Sequence, residues 1–398
     1  MGRRLENLEQ FGIDVVLGRR RGFRAGVLRG MLYALSFVYE RIVQLRLYLY
    51  RKRIFRERTL GCLVISIGNL TVGGTGKTPV VEKFARSLQV GGRRVAILSR
   101  GYKSQPKPTK RTWLERLVNT AIDPPRVVSD GKTLLLDSLT AGDEPYMLAH
   151  NLKDVIVLVD KDRVKSGCYA IDNWKVDTLV LDDGLQYLHL KHRLDIVLVD
   201  RQAPFGNEFL LPRGTLREPP RNLRRASYIF ITKNTGEPND KLIERIRRYN
   251  RTAEIIECAH RPLYLQNIYT GERLMLDRLR GAFIGSICAI AVPESFEGAL
   301  KKLGANVNLA LRYIDHHYFT DHEIRTFMNR CIRRDLSMII TTEKDAVRMP
   351  RLPEAELKVP IYFMRVEIEI LSGHESWEHC VARICKPQPM LSPERFFA

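Results

Sequence analysis

The chain has 398 residues, with 65 Lys and Arg against 45 Asp and Glu and a net charge of +20. This length predicts roughly two or three domains. A hydrophobic content of 44% excludes a disordered chain. Seven scattered cysteines without a C-x-x-C pair argue against a disulfide framework or a zinc ribbon and favour a reducing compartment. The positive charge predicts a polyanionic partner: nucleic acid, anionic lipid or a phosphorylated substrate.

The positive charge is concentrated in three segments. Residues 1–60 carry 14 Lys and Arg against 5 Asp and Glu, residues 101–127 carry 6 against 2, and residues 213–225 carry 5 against 1. The rest of the chain is nearly balanced. A polyanionic partner is therefore expected to meet these segments.

The first predicted element is an amphipathic helix, Val27–Tyr50, in which apolar side chains recur at helical spacing. Its longest uncharged stretch, Gly30–Tyr39, is ten residues, whereas a bilayer span needs about 20. The segment also lacks the features of a secretory signal. Two interpretations stay open: a helix packed on its own domain, or an interfacial helix lying among lipid headgroups. Four tyrosines and the basic run Arg51–Arg56 favour the second.

After residue 60, short apolar runs alternate with helical stretches. Continuous apolar strands between helices indicate a parallel sheet that is buried on both faces. The predicted strands are Leu63–Ile67, Val95–Leu98, Val155–Val159, Thr178–Leu181, Ile196–Val199, Tyr228–Thr232, Phe283–Ala289, Met338–Thr341 and Ile361–Val366.

This alternation predicts two α/β domains, and the Pro- and Arg-rich stretch Glu218–Arg225 is the expected boundary. We therefore divide the chain into four parts. They are a basic amphipathic segment (1–58), a first α/β domain (59–222), a smaller second α/β domain (223–370) and a C-terminal tail (371–398).

The strongest motif is G-G-T-G-K-T, directly after the strand Leu63–Ile67 and before a predicted helix. Glycines let backbone N–H groups close around phosphate oxygens, and the helix N-terminus adds partial positive charge. The lysine then reaches the β- and γ-phosphates, and the threonine hydroxyl binds Mg²⁺. The standard motif has a glycine where this chain has Thr71, so the loop is closer to the G-G-x-G-K-T variants. The motif residues are Gly73, Gly74, Thr75, Gly76, Lys77 and Thr78.

Three further blocks carry acidic residues or histidine. The strand that ends in Asp182-Asp183-Gly184 places a carboxylate where a P-loop site holds its Mg²⁺ shell. Adjacent carboxylates point to different sides, so at most one of the two is expected to serve the metal. Gly142–Pro145 reads equally well as the acidic first turn of a helix. The histidines in Asp315–Tyr318 are, taken alone, more often structural than catalytic.

Together these residues resemble the tetraacyldisaccharide 4′-kinase family, the lipid A 4′-kinases of bacterial outer-membrane biosynthesis. The blocks keep the family's order from about residue 60 to 350, and the set is specific although no single block is. The matching blocks are Gly68–Pro79, Ser99–Tyr102, Gly142–Pro145, Asp182–Gln186, Phe205–Asn207, Leu211–Gly214, Leu216–Glu218, Asp315-His316 and Thr342–Ala346.

The resemblance implies a fold of two α/β/α domains with mainly parallel sheets, a P-loop NTPase-like N-terminal domain and an N-terminal membrane-associated helix. It implies ATP and Mg²⁺ as cofactors, and the 4′-hydroxyl of a lipid A disaccharide 1-phosphate as the acceptor. The expected location is the cytoplasmic face of the bacterial inner membrane, against an anionic lipid surface. We expect a monomer. The three basic segments then form a docking surface for a membrane-borne substrate.

The family's residue roles transfer to matching positions of this chain. Lys77 and Thr78 would hold ATP and Mg²⁺, and Glu144 and Asp182 would complete the Mg²⁺ shell. The family's catalytic base would be Asp143, paired with His316 from the second domain. The expected substrate-side or supporting positions are Arg100, Tyr102, Asp183, Arg217 and Glu218.

The chain departs from the family pattern in three places. The turn Ala289–Glu294 lacks the usual glycine, the stretch Lys103–Ser129 is long and basic, and the tail after about residue 370 has no evident counterpart.

Two alternatives stay open. A membrane-associated P-loop switch ATPase or GTPase would also use a variant loop, but it often carries a lysine where this chain has Val72, and Thr232–Thr235 is not a guanine-reading motif. A nucleic-acid binder would suit the net charge. The basic segments, however, lack a recognisable reader motif, so we expect no nucleic-acid partner.

Overall fold

The computed structural model describes residues 11–12, 14–16, 18–102, 104 and 123–386. Most of the predicted basic loop, at positions 103 and 105–122, therefore lies outside the described residues. The same holds for positions 1–10 of the predicted membrane-associated segment and for positions 387–398 of the predicted tail.

Thirteen strands of the described residues form one sheet. They are β1 (Leu63–Asn69), β2 (Val95–Ser99), β3 (Arg126–Asp130), β4 (Ile156–Val159), β5 (Thr178–Asp182), β6 (Leu194–Asp200), β7 (Tyr228–Thr232), β8 (Glu254–Asn267), β9 (Arg273–Met275), β10 (Phe283–Cys288), β11 (Asn306–Arg312), β12 (Met338–Thr342) and β13 (Ile361–Ser372).

The α-helices with described bounds cover both faces of the sheet. They are α1 (Phe23–Arg51), α2 (Lys77–Val90), α3 (Ser138–Ala141), α4 (Asp143–Asn151), α5 (Arg163–Trp174), α6 (Asp240–Tyr249), α7 (Pro293–Lys302), α8 (Asp321–Ile332), α9 (Glu343–Ala346) and α10 (His374–Cys385). Short 3₁₀ turns occur at Pro220–Arg225, Leu276–Leu279 and Glu354–Glu356.

The sheet consists of two parallel sets of strands that meet at one antiparallel pair. Its order is β11-β10-β12-β13-β8-β7-β6-β1-β5-β2-β4-β3, with β9 added at β8. The long strands β8 and β13 run antiparallel along most of their length, and the only other antiparallel pairs among the described strands are β3–β4 and β8–β9. The fold is thus mixed α/β with a large, mostly parallel sheet. The division into two α/β/α domains stays a prediction, because the hydrogen-bonded sheet is continuous across it.

Each strand predicted from the sequence has a counterpart within a few residues of its bounds, and the predicted first helix is α1. The prediction missed β3, β8, β9 and β11. Strand β8 has an alternating pattern of burial, and β11 is largely exposed, so neither forms a continuous apolar run. The predicted boundary is a 3₁₀ turn between β6 and β7, which are themselves parallel neighbours.

Residues that we assigned to a C-terminal tail return to the core of the N-terminal half. Helix α10 packs beside α2, where the Trp377 ring lies 5.4 Å from the Phe84 ring and 6.0 Å from the Phe230 ring. Cys380 and Ile384 of α10 are buried in the same cluster. The C-terminal end of the chain thus supports the helix that follows the phosphate loop.

Helix α1 lies against the segment that precedes β7. The Tyr39 hydroxyl donates to the Arg217 carbonyl at 3.1 Å, and Glu40 pairs with Arg221 at 2.5 Å. Leu47 of α1 is buried, whereas ten other large apolar side chains of the helix are exposed to solvent. They are Phe23, Val27, Met31, Tyr33, Leu35, Phe37, Val38, Ile42, Leu45 and Tyr48. No helix of the described residues has an apolar stretch that would reach across a bilayer.

A buried polar network joins α2, α4, α9 and β13. The Arg365 guanidinium in β13 pairs with Glu82 of α2 and with Glu343 of α9, the latter at 2.8 Å. The side-chain amide of Asn151, the last residue of α4, donates to Glu82 at 3.2 Å and to Glu343 at 2.7 Å. Because all three charged side chains are largely buried, the network fixes four elements relative to one another.

We predict that Arg365→Met lowers the free energy of unfolding by about 3 kcal/mol or more, since two buried carboxylates lose their shared cation. Urea denaturation followed by circular dichroism measures this. The matched control is Arg261→Met, which removes an exposed pair between β8 and Glu369 of β13 and should change stability by less than about 1 kcal/mol. An equal loss of stability in both variants would contradict the conclusion that the buried pairs of Arg365 hold these elements together.

Candidate active site

The phosphate loop follows β1 and leads into α2 at the carboxyl edge of the sheet. Gly73 has φ +119° and Gly76, which precedes α2, has φ +76°. A side chain is strained in such backbone, so both positions favour glycine. A Cβ on Gly76 would also lie 2.5 Å from Cε1 of His260. Burial and the nearby Lys233 lower the pKa of His260 to about 4, so a neutral imidazole packs against the loop.

The loop is held from the side of β6 and β7. The Thr232 hydroxyl donates to the Thr75 carbonyl at 2.8 Å. The Lys233 ammonium donates to the Gly74 carbonyl at 2.7 Å and pairs with Asp200 at 2.5 Å. Sequence analysis considered Thr232 and Lys233 only as an incomplete guanine-reading motif. Both residues lie at the carboxyl end of β7, which belongs to the same parallel set of strands as β1. This position in the chain could have marked them as site residues.

Lys77 reaches the neighbouring strand on the other side of the loop. Its ammonium lies 3.1 Å from the side-chain oxygen of Asn69 and 3.2 Å from Oδ1 of Asp183. Asp183 also accepts from Arg217 at 2.7 and 2.9 Å. Burial raises the pKa of Asp183, but Lys77 and Arg217 outweigh it and keep the pKa below the usual value.

Asp182 has a different hydrogen-bond partner from Asp183. Its Oδ2 accepts from the Ser99 hydroxyl at 3.1 Å, whereas its buried Oδ1 has no hydrogen-bond partner. Burial and the Glu144 carboxylate raise the pKa of Asp182 to about 7. A cation would stabilise a buried carboxylate that has an unpartnered oxygen and lies beside a second carboxylate.

These donors fit Mg²⁺ better than an all-protein metal cage. Among the described residues, no group of three or more His, Cys, Asp or Glu side chains is arranged to hold a metal. Mg²⁺ needs no such group, because one or two carboxylates suffice when water and phosphate oxygens supply the other ligands. The residues that would hold it are Asp182, Glu144 and the Thr78 hydroxyl.

Asp143 begins α4 and meets the C-terminal half of the chain. Its Oδ2 lies 3.0 Å from Nδ1 of His316 and 2.7 Å from Nη2 of Arg348, and its Oδ1 accepts from the Tyr318 hydroxyl at 3.2 Å. Burial raises the pKa of Asp143, but hydrogen bonds from His316 and Arg348 outweigh burial, so the pKa lies below the usual value. The predicted meeting of Asp143 and His316 is therefore present in the structure.

The neighbours of His316 fix its tautomer. The Lys344 ammonium, which has no acceptor lone pair, lies 3.3 Å from Nε2. The Asp315 carboxylate lies farther from Nε2, at 3.8 Å. We therefore assign Nε2 as the acceptor and Nδ1–H as the donor to Asp143. His316 itself has φ +71°, a strained conformation for a non-glycine residue that is typical of functional sites.

The predicted substrate-side residues do not share one surface. Arg217 lies with Asp183 and Lys77, and Tyr102 is exposed with its ring 5.8 Å from the His316 ring. Arg100 is exposed at the end of β2. Glu218 is buried and accepts from Arg225, Asn222 and Gln186 at 2.7 to 3.1 Å. We infer that Glu218 supports the segment that carries Arg217.

Sequence analysis missed several polar residues of the site. Arg163 is buried with its guanidinium over the Tyr187 ring at 4.7 Å, and burial lowers its pKa. Tyr318, Lys344 and Arg348 received no role, although Lys344 lies within a block that matches the family and Tyr318 lies two residues after another. Contacts made across the sheet have no fixed spacing in sequence, so the pattern could not have joined these residues to Asp143.

Comparison with known proteins identifies the family. The model of the tetraacyldisaccharide-1-P 4′-kinase (LpxK) family matches residues 28–386. The chain belongs to this family. Tetraacyldisaccharide 4′-kinase from Syntrophus aciditrophicus is 36% identical over 365 residues, covering 89% of this chain and 93% of that protein. The 4′-kinase from Anaeromyxobacter sp. strain K is 36% identical over 388 residues, covering 96% and 98%.

The fold agrees with a solved structure of the same family. LpxK from Aquifex aeolicus, crystallised in complex with ATP, aligns with a TM-score of 0.68 and 27% identity over 90% of this chain and 99% of that one. The family model extends through residue 386, so the segment 371–386, for which sequence analysis found no counterpart, is part of the family's chain.

We predict that Gly76→Ala lowers ATP affinity about tenfold or more, since the methyl group meets His260 as well as a left-handed backbone. Isothermal titration with ATP measures this. The control is Gly271→Ala, whose φ of +74° imposes the same backbone cost in open space. That variant should lose about 1 kcal/mol of stability and no ATP affinity. A normal ATP affinity in Gly76→Ala would contradict the packing argument.

Proposed function

We propose that this tetraacyldisaccharide 4′-kinase transfers the γ-phosphate of ATP to the 4′-hydroxyl of a lipid A disaccharide 1-phosphate, with Asp143 as the general base. The observation that carries the proposal is the geometry of Asp143, which lies in the half that bears the phosphate loop and accepts from His316 at 3.0 Å. The ATP complex of the Aquifex relative supports ATP as the phosphate donor.

The loop Gly73–Thr78 would hold the triphosphate, and Lys77 would neutralise charge on the β- and γ-phosphates. For this, Lys77 exchanges its contact with Asp183 for phosphate oxygen. Arg217, which shares Asp183, keeps that carboxylate paired. The exchange therefore leaves no buried charge without a partner.

Mg²⁺ is proposed to lie beside Asp182, with Glu144 and Thr78 as the other protein ligands. When bound, it neutralises developing charge on the β- and γ-phosphates. The support is the unpartnered Oδ1 of Asp182 and its raised pKa of about 7. Asp182 would then be fully ionised at neutral pH, because a cation favours the charged carboxylate.

Asp143 takes the proton of the acceptor hydroxyl as the new oxygen–phosphorus bond forms and the bond to the ADP oxygen breaks. His316, held as the Nδ1–H tautomer, donates to the carboxylate and orients it. A low pKa keeps Asp143 ionised and ready to accept, and the main contributions are positioning and charge neutralisation.

The two sides of the site come from different parts of the chain. Asp143 and the phosphate loop lie in the half that contains β1, whereas His316 lies between β11 and α8. We propose that these halves are two α/β/α domains, joined through β8 and β13, and that their closure completes the site.

The exposed face of α1 is proposed to lie on an anionic membrane, on the cytoplasmic side of the inner membrane. An uncovered apolar helix face followed by Arg51, Lys52 and Arg53 suits the headgroup layer. Tyr39 of α1 also bonds the Arg217 carbonyl. A lipid substrate arriving along α1 would thus be close to the residues beside the phosphate loop.

We predict that Asp143→Asn and His316→Gln each lower kcat about 100-fold or more and leave the KM for ATP within about threefold. The assay is label transfer from γ-labelled ATP to tetraacyldisaccharide 1-phosphate. The matched control is His317→Gln: His317 bonds Glu323, not Asp143, and this variant should retain most activity. Weakened ATP binding with an unchanged kcat would refute the base assignment.

We predict that Ile42→Glu, on the exposed face of α1, lowers binding to vesicles containing anionic lipid about tenfold or more, since an apolar anchor is replaced by a repelled charge. Vesicle co-sedimentation measures this. Phe283→Glu changes an equally exposed apolar side chain on β10 and should have little effect. Equal losses would show that α1 is not the membrane-binding element.

A further inference from the structure

Arg348 is a fully buried arginine in the cleft with ion pairs to two carboxylates. Its Nη2 lies 2.7 Å from Oδ2 of Asp143, and its Nη1 lies 3.2 Å from Oδ1 of Asp345. Nη1 also donates to the Ala289 carbonyl at 3.3 Å. One guanidinium therefore bridges a carboxylate of the N-terminal half and a carboxylate of the C-terminal half.

The contacts on the C-terminal side hold Arg348 in one orientation. Asp345 is fully buried and accepts from the Thr342 hydroxyl at 2.6 Å and from the Ala289 backbone N–H at 3.1 Å. Asp345 and the Ala289 carbonyl both accept hydrogen bonds from Nη1. Because the guanidinium is planar, these two bonds direct Nη2 toward Asp143. An arginine anchored in this way loses little further freedom when it binds the second carboxylate.

The acceptor positions of Asp143 are divided unevenly between its two oxygens. An ionised carboxylate has about four lone-pair positions, two on each oxygen. Oδ2 is hydrogen-bonded to Nδ1 of His316 at 3.0 Å and forms an ion pair with Nη2 of Arg348 at 2.7 Å. These two nitrogens lie 3.3 Å apart on the same side of the carboxylate. Oδ1 receives only the Tyr318 hydroxyl among the described contacts. One acceptor position is therefore left, on Oδ1.

We propose that Arg348 is a positioning residue that, with His316, occupies Oδ2 of Asp143 and so directs the acceptor hydroxyl to Oδ1. The inference rests on the role of Asp143 proposed above. In the reaction the hydroxyl proton passes to Oδ1, the hydroxyl oxygen bonds the γ-phosphorus, and the phosphorus bond to the ADP oxygen breaks. Arg348 touches neither substrate and acts through Asp143.

The test is a double-mutant cycle of Arg348→Met and Asp143→Asn in the full-length enzyme, with kcat and the KM for ATP measured separately. We expect Arg348→Met alone to lower kcat about 100-fold, as a misplaced catalytic group does, with KM for ATP within about threefold. In the Asp143→Asn background the same change should lower kcat by less than about threefold, because the group it positions is already gone.

Two results would overturn the proposal: a normal kcat in Arg348→Met, or losses that multiply in the double variant. A purely structural role predicts such independent losses. A wild-type rate in Asp143→Asn would instead refute the base role, so failure of the proposed function is recognised separately.

Two further variants guard against loss of the fold. Arg247→Met removes hydrogen bonds to the carbonyls of Arg251 and Ala253, just before β8 begins. A loss of stability caused by this variant should leave kcat near the wild-type value. If Arg348→Met does not fold, Arg348→Lys replaces it in the cycle. Lysine keeps the charge but not the two-pronged geometry, so we expect a kcat loss of about tenfold, and a normal kcat overturns the proposal.

Discussion

The carboxylate of Asp143 is the point on which the two halves of this kinase converge. Helix α4 brings it from the N-terminal half, and its three partners come from the C-terminal half: His316 and Tyr318 through hydrogen bonds and Arg348 through an ion pair. A buried carboxylate is costly unless it is paired. The C-terminal half therefore supplies the partners that the Asp143 carboxylate of the N-terminal half needs. The Arg365 network ties α4, which carries Asp143, and α2, which follows the phosphate loop, to β13 and α9 of the C-terminal half.

The charged groups beside the phosphate loop are arranged differently from those around Asp143. Lys77 and Asp183 are paired, whereas Asp182 is buried with one oxygen unpartnered and a pKa raised to about 7 by burial and Glu144. Negative charge is thus concentrated where a divalent cation would stabilise it, and positive charge is available where phosphate would bind. This separation is what phosphoryl transfer requires, because the reaction depends mainly on charge neutralisation and alignment.

The sequence predicted the parts of the fold that depend on local pattern. The apolar runs gave the parallel strands, and the glycine loop after β1 gave the position of the phosphate site. Strand β8 was missed because its burial alternates, and α10 was taken for a tail because its packing on Phe84 and Phe230 involves distant residues. The pairing of Asp143 with His316 was predicted only through family resemblance, because the two residues are 173 positions apart. Arg348 and Lys233 make contacts that sequence spacing does not encode.

The central claim is that Asp143 accepts the proton at Oδ1 while the C-terminal half occupies Oδ2. The most direct measurement is a crystal structure of the full-length enzyme with a non-hydrolysable ATP analogue, Mg²⁺ and tetraacyldisaccharide 1-phosphate. The account predicts the 4′-hydroxyl within hydrogen-bond distance of Oδ1 of Asp143, in line with the γ-phosphorus, with His316 and Arg348 still on Oδ2. A 4′-hydroxyl bonded to another side chain, with Asp143 turned away from it, would contradict the account.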